Sequence, residues 1–158
     1  MLLSMLKILC LSLAFSIAVP AAELSVKKTL NLQAMKAMVA AAEAEAEKRH
    51  VQVTICIVDE SGNLLFLEKA DNAALNTIEF AQRKARHAAF YHSPSRNGAE
   101  SVKKGDLAVL NFPQYFPNQG RLPIEVDGQT IGGISASGAK SEIDEAIAQA
   151  GLDALSKR

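Results

Sequence analysis

Two adjacent glycines inside a β-like run, Gly132 and Gly133, constrain this chain more than any other feature of its sequence. They lie in residues 122–139, where one apolar run reaches Asp127-Gly128, a second follows, and Ser135, Ser137 and Gly138 lead out toward a helix. Asp-Gly between two apolar runs is a hairpin signal, because both turn residues tolerate the positive φ that matches the twist of paired strands. Paired glycines inside a strand give up side-chain packing and cost chain entropy. They therefore mark a bulge, or a place where another backbone or a ligand comes close. This hairpin is the leading surface for function.

Helical and strand periods organise the rest. Asn31 is placed to cap a helix over 32–49, with Leu32, Met35, Val39, Ala42 and Ala46 on one face and acidic residues on the solvated side. Residues 51–58 are rich in β-branched side chains, 59–63 form an Asx-type turn, and 64–68 return as a second strand. Asn76 with Glu79 has the residue types of a capping box and opens a helix over 77–91. Its inward face is expected to carry Ile78, Ala81, Ala85, Ala88 and His92, with Arg83, Lys84 and Arg86 outside. Pro94 stops that helix, and 95–106 is a polar loop around a short helical turn. A proline-broken aromatic loop precedes the glycine hairpin, and Ser141 with Asp144 is placed to cap a final helix through 156. Two hairpins and no strand-helix-strand alternation imply α+β: a mainly antiparallel sheet with flanking helices.

At 158 residues the chain is long enough for one domain with a real core. Seventeen Lys and Arg balance seventeen Asp and Glu, which argues against nucleic acid and for a small-molecule or protein partner. Lys7, the apolar run 8–19 and the small residues at 19–21 have the form of a secretory signal peptide over 1–21, cleaved after Ala21 or Ala22. The expectation is a periplasmic or secreted protein of residues 22–158, without stable membrane insertion once the leader is removed. Cys10 leaves with the leader, so Cys56 is expected alone, as a buried small hydrophobe.

Signatures of known chemistry are absent: there is no Walker loop, strand-linked G-x-G-x-x-G, Cys-x-x-Cys, His-Glu-x-x-His or nucleophile elbow. Ser135, Ser137 and Gly138 precede a helix, so backbone N–H groups there can receive an anion, or the small residues serve tight packing at a strand-to-helix corner. His87 and His92 straddle a helix end and do not naturally clamp one ion. Of the seven aromatics left after the leader, Phe90, Tyr91, Phe112, Tyr115 and Phe116 crowd into 90–116, as a pocket wall or a subunit contact.

These residues resemble a known family. The run from Val53 through Asp59 to Gly62, then Ala81-x-x-Lys84-Ala85, then Pro123-Ile-x-x-Asp127-Gly128 with Ile131-Gly132-x-Ile134-x-x-Ser137-Gly138-Ala139 and Asp144-Glu145, look like the GlcG/HbpS haem-binding family, which includes the PduO C-terminal domain. The resemblance covers nearly all of residues 22–158. It implies a small profilin-like α/β sandwich that assembles into homo-oligomers and, in some members, binds haem. The resemblance implies haem as cofactor, and the ligand site is expected on His87, His92, Tyr115, Phe116, Gly132, Gly133, Ser135, Ser137 and Gly138; the first helix lacks the inward histidine that some relatives use, so His87 is the candidate iron ligand in its place, with Tyr115 a second iron-ligand type. His87 stands where threonine is usual, and Ser135 where glycine is usual. Three readings stay open: a binding protein, an enzyme that degrades haem or acts on a small organic acid, and a structural or sensory oligomeric module.

Overall fold

The computed structural model describes residues 23–93 and 95–156. The expected leader, Cys10, both cleavage positions and the helix-stopping Pro94 lie outside them. Along the chain run α1 (Leu32–Lys48), β1 (Thr54–Asp59), β2 (Leu64–Lys69), α2 (Thr77–Tyr91), α3 (Ser95–Lys103), a 3-10 turn (Ala108–Asn111), β3 (Arg121–Val126), β4 (Gln129–Ser137) and α4 (Ser141–Ser156). The four strands make one antiparallel sheet in the order β2-β1-β4-β3. The α+β expectation holds. Among the described residues no helix is long and apolar enough to cross a membrane.

The sheet is covered on both faces, as the alternation of its side chains requires. Ile55, Ile57, Ile124, Ile134 and Ala136 point to one side, where Met35, Met38, Val39 and Ala42 of α1 meet Ile147 and Ala148 of α4. Cys56 and Val58 point to the other, against Ala81, Ala85 and Ala89 of α2. Cys56 is buried and unpaired, and burial raises its thiol to about 12, so it is an inert core residue as expected.

Local signals account for most boundaries. The Asn31 side chain accepts the Ala34 N–H at 2.8 Å and caps α1. Asp59 accepts from the Ser61 and Asn63 N–H groups and builds the first turn. Asp127 and Gly128 both sit at positive φ, 51° and 75°, between the paired residues Val126 and Gln129. That is the geometry of a two-residue hairpin turn.

Several expectations need correction. Asn76 makes no side-chain cap. The start of α2 is held instead by Thr77, whose hydroxyl contacts Ala74 O at 2.5 Å and the buried Thr54 hydroxyl at 2.7 Å. His92 is exposed rather than inward-facing, because the chain turns left-handed there. Leu32 is exposed, and Met38 is fully buried in its place. The strand read from 51 begins at Thr54. Residues 95–103 form a nine-residue helix instead of a loop. Glu43 is exposed as expected, and its hydrogen bond to Glu68, then partial burial and the Glu68 charge, raise its carboxyl to about 7.

The paired glycines have a packing explanation. A Cβ at Gly133 would overlap the Ala85 carbonyl oxygen and stand 3.1 Å from Ala89 N. The backbone that comes close is that of α2. A register shift between Ile124 and Glu125 leaves Ile131 without a β3 partner, so the expected bulge is present too. Gly133→Ala should destabilise the fold by about 1–3 kcal/mol through overpacking. Urea denaturation checks this, and an unchanged midpoint would contradict the packing argument.

Candidate functional site

α2 carries most of the polar chemistry on one flank. His87 is 1% exposed, and its Nδ1 accepts the Phe116 backbone N–H at 2.7 Å. Its ring lies against Tyr91 and Tyr115, each with a centroid separation of 4.6 Å. Tyr91 donates its hydroxyl to Pro113 O at 2.6 Å, and Phe116 packs on Phe80 beneath the Arg83 guanidinium. These contacts lock the 112–117 segment onto α2. Burial, then the Arg121 charge, push His87 down to about 3. The ring is therefore neutral, and because Nδ1 accepts, Nε2 carries its proton.

One turn earlier on α2 stands Lys84, 4% exposed. Its ammonium donates to Asp144 Oδ2 at 2.8 Å and to Ala136 O at 3.0 Å. The other Asp144 oxygen accepts the Ala139 N–H at 3.0 Å. Burial lowers the Lys84 pKa and raises that of Asp144, and in each case the partner's charge opposes the shift. Beside them Glu145 accepts from Arg96 at 2.9 Å, and the wholly buried Arg121 donates to Asn118 O. Above the pair opens a cleft of about 280 Å³, bordered by Thr77, Phe80, Asn118, Ser137, Gly138 and Ser141. The N-termini of α2 and α4 both reach it. Two helix N-termini favour an anionic guest there, while the Lys84 ammonium at the floor is already paired with Asp144.

The residues named from sequence separate into distinct places. His87, Tyr115 and Phe116 form the aromatic lock. Ser137 and Gly138 line the polar cleft. Ser135 donates its hydroxyl to Ala81 O at 2.6 Å, a packing contact, and Gly132 and Gly133 are buried under neighbouring backbone. His92 stands apart at the C-terminal end of α2, exposed, with Nδ1 2.6 Å from Thr130 Oγ1. Among the described residues no group of three or more His, Cys, Asp and Glu converges to hold a metal ion.

Sequence reasoning missed the ion pair. Lys84 was expected in solvent, and Asp144 at a helix cap. Lys84 lies three residues after Ala81 and four before Ala88, on the edge of the inward alanine arc, and that spacing was the available signal. Removing one partner should cost about 3–5 kcal/mol by leaving a buried charge uncompensated, as in Lys84→Met. The double variant Lys84→Met/Asp144→Leu should recover part of that loss in urea denaturation. A double variant no more stable than the single one would show that the two charges are not coupled.

Three comparisons bear on identity. The family described as "Haem degrading protein HbpS-like" matches residues 30–153. Protein GlcG of Escherichia coli (strain K12) is 34% identical over 111 residues, 70% of this chain and 83% of its own. Among solved structures, HbpS superposes with a TM-score of 0.78 at 29% identity, covering 88% of this chain and 99% of that one. The PduOC:heme complex superposes at 0.73 and 26% identity, covering 80% and 95%. The chain shares its fold with these structures, and it belongs to the HbpS-like family.

Proposed function

We propose that this protein is an exported small-ligand-binding protein, that its ligand is haem, and that it works as a homo-oligomer. The observation that carries the ligand is similarity to HbpS and to a domain crystallised with heme, on a chain whose α2 end gathers iron-ligating residue types. Imidazole and phenol are haem-ligand groups, carried on this flank by His87 and Tyr115 of the aromatic lock and, separately, by the exposed His92. Porphyrin binding also needs apolar contact. Phe80, Phe90, Leu107, Leu110 and Phe112 are exposed around α2 and the 3-10 turn. An exposed apolar surface of this kind also suits a subunit contact. Export rests on the leader-like residues 1–21.

When bound, haem supplies redox and ligand-exchange chemistry. The chain's own residues would bind it, orient it and limit water access. A second reading has its own observation: the polar cleft with Lys84 at its floor suits a small organic acid, as substrate or as ligand.

Titration of the purified protein with hemin should shift the Soret band and saturate at a fixed stoichiometry. Absence of a shift would overturn the haem reading, and a thermal shift with small carboxylates but not with hemin would favour the second. Addition of ascorbate separates binding from degradation, because only degradation bleaches the porphyrin absorbance. Light scattering on the same sample should return a multiple of the monomer mass.

A further inference from the structure

We infer that the polar cleft between the N-termini of α2 and α4 binds one short carboxylic acid as its carboxylate, with the Ser137 hydroxyl and the Lys84 ammonium as donors. The assignment rests on the small-acid reading above and is independent of the haem reading. Three observations carry it.

The first is a buried hydroxyl that the fold leaves unused. Side chains of β4 alternate between the two faces of the sheet, so Ser135 and Ser137 turn toward α2 while Ile134 and Ala136 face the other core. Ser135 donates its hydroxyl to Ala81 O at 2.6 Å. Thr54, which pairs with Ser137 across the sheet, places its hydroxyl 2.7 Å from that of Thr77. Ser137 is 4% exposed, and no described residue donates to or accepts from its hydroxyl; what it borders is the cleft. Buried polar side chains are in the large majority hydrogen-bonded, so this hydroxyl is placed for a partner that enters from the cleft. Alanine would fill the same corner if tight packing were its only task.

The second is the ammonium group at the floor. Lys84, also 4% exposed, gives two of its three protons to Asp144 Oδ2 and Ala136 O. The third has no acceptor among the described residues, and Lys84 lines the same cleft as Ser137. Asp144 is satisfied from the protein side, by Lys84 on one oxygen and the Ala139 N–H on the other. The pair is electrically balanced, so the positive ends of the two helices set the sign of the field in the cleft. Glu79 and Glu142, the other acidic residues of the two first turns, are exposed, where water and salt screen them.

Size and lining are the third. A volume of about 280 Å³ lies below the roughly 300–1,000 Å³ of sites for drug-sized molecules, which limits the guest to a few carbons. Ala74, Phe80 and Ala139 give the cleft an apolar wall, which suits a carbon chain better than a bare inorganic anion.

The test is an amide chemical-shift titration of the isotope-labelled protein with acetate, propionate and succinate, beside acetamide and inorganic phosphate. At least one carboxylate should move residues 76–80 and 137–144 saturably. Acetamide has the shape of acetate without its charge, phosphate has charge without a carbon chain, and neither should do so. Ser137→Ala should weaken the carboxylate by about tenfold through loss of a hydrogen bond to a charged group. Its urea midpoint should stay unchanged, because the fold loses no contact. An equal response to acetamide or phosphate, or a Ser137→Ala variant that binds as wild type does, overturns the proposal. Carboxylate shifts centred outside the cleft overturn the site while the small-acid reading stands, and no response to any of the three acids overturns both. Ser137→Ala should match wild type in the hemin titration; a loss there would assign the cleft to a haem propionate and overturn the free acid as its guest.

Discussion

The architecture depends on one buried ion pair. Lys84 of α2 reaches across to Asp144 at the start of α4 and to Ala136 O at the end of β4, so a single ammonium group ties three elements together. Its counterpart, Asp144, turns back to the Ala139 N–H and shapes the strand-to-helix corner. A buried pair of this kind adds little net stability, because desolvation offsets the attraction, yet an alternative packing that separates the charges is costly. With the register of α2 set in this way, His87 and Tyr91 fall one and two turns further along. There they receive the 112–117 segment.

Close approach of α2 to the sheet is the companion constraint. Gly133 supplies the space for the Ala85 carbonyl, and Ala81, Ala85 and Ala89 keep the helix near the strands. Gly133 and the alanines of α2 serve that approach, while Ser137 and Gly138 border the polar cleft. Two clefts open at the margins of α2: a polar one at its N-terminal end, and a groove beside His92 at its C-terminal end.

Much of this fold was legible before any coordinates. The Asp127-Gly128 turn, the Asn31 cap and the alanine period of α2 each follow from a local rule, and local rules act within a few residues. What escaped were the features decided by partners distant in sequence. Lys84 reads as a surface charge until Asp144, sixty residues away, is seen beside it. Leu32 has the right spacing for the core but lies beyond the reach of the sheet, while Met38 fills the seam among α1, α4 and the strands. The polar composition of 95–103 concealed α3, one of whose residues, Arg96, pairs with Glu145 of α4. Of the nine site residues named from sequence, the two histidines and two serines proved to have four different surroundings, which no spacing rule distinguishes.

The most direct measurement is amide chemical-shift mapping of the isotope-labelled protein with zinc protoporphyrin, which reports where a porphyrin sits without paramagnetic loss of signal. Shifts should concentrate around α2 and the 3-10 turn, where Phe90, Leu107, Leu110 and Phe112 are exposed, with the β3–α4 groove around Leu122 and Leu152 unaffected. Shifts centred on that groove, or none at saturating porphyrin, would contradict the account.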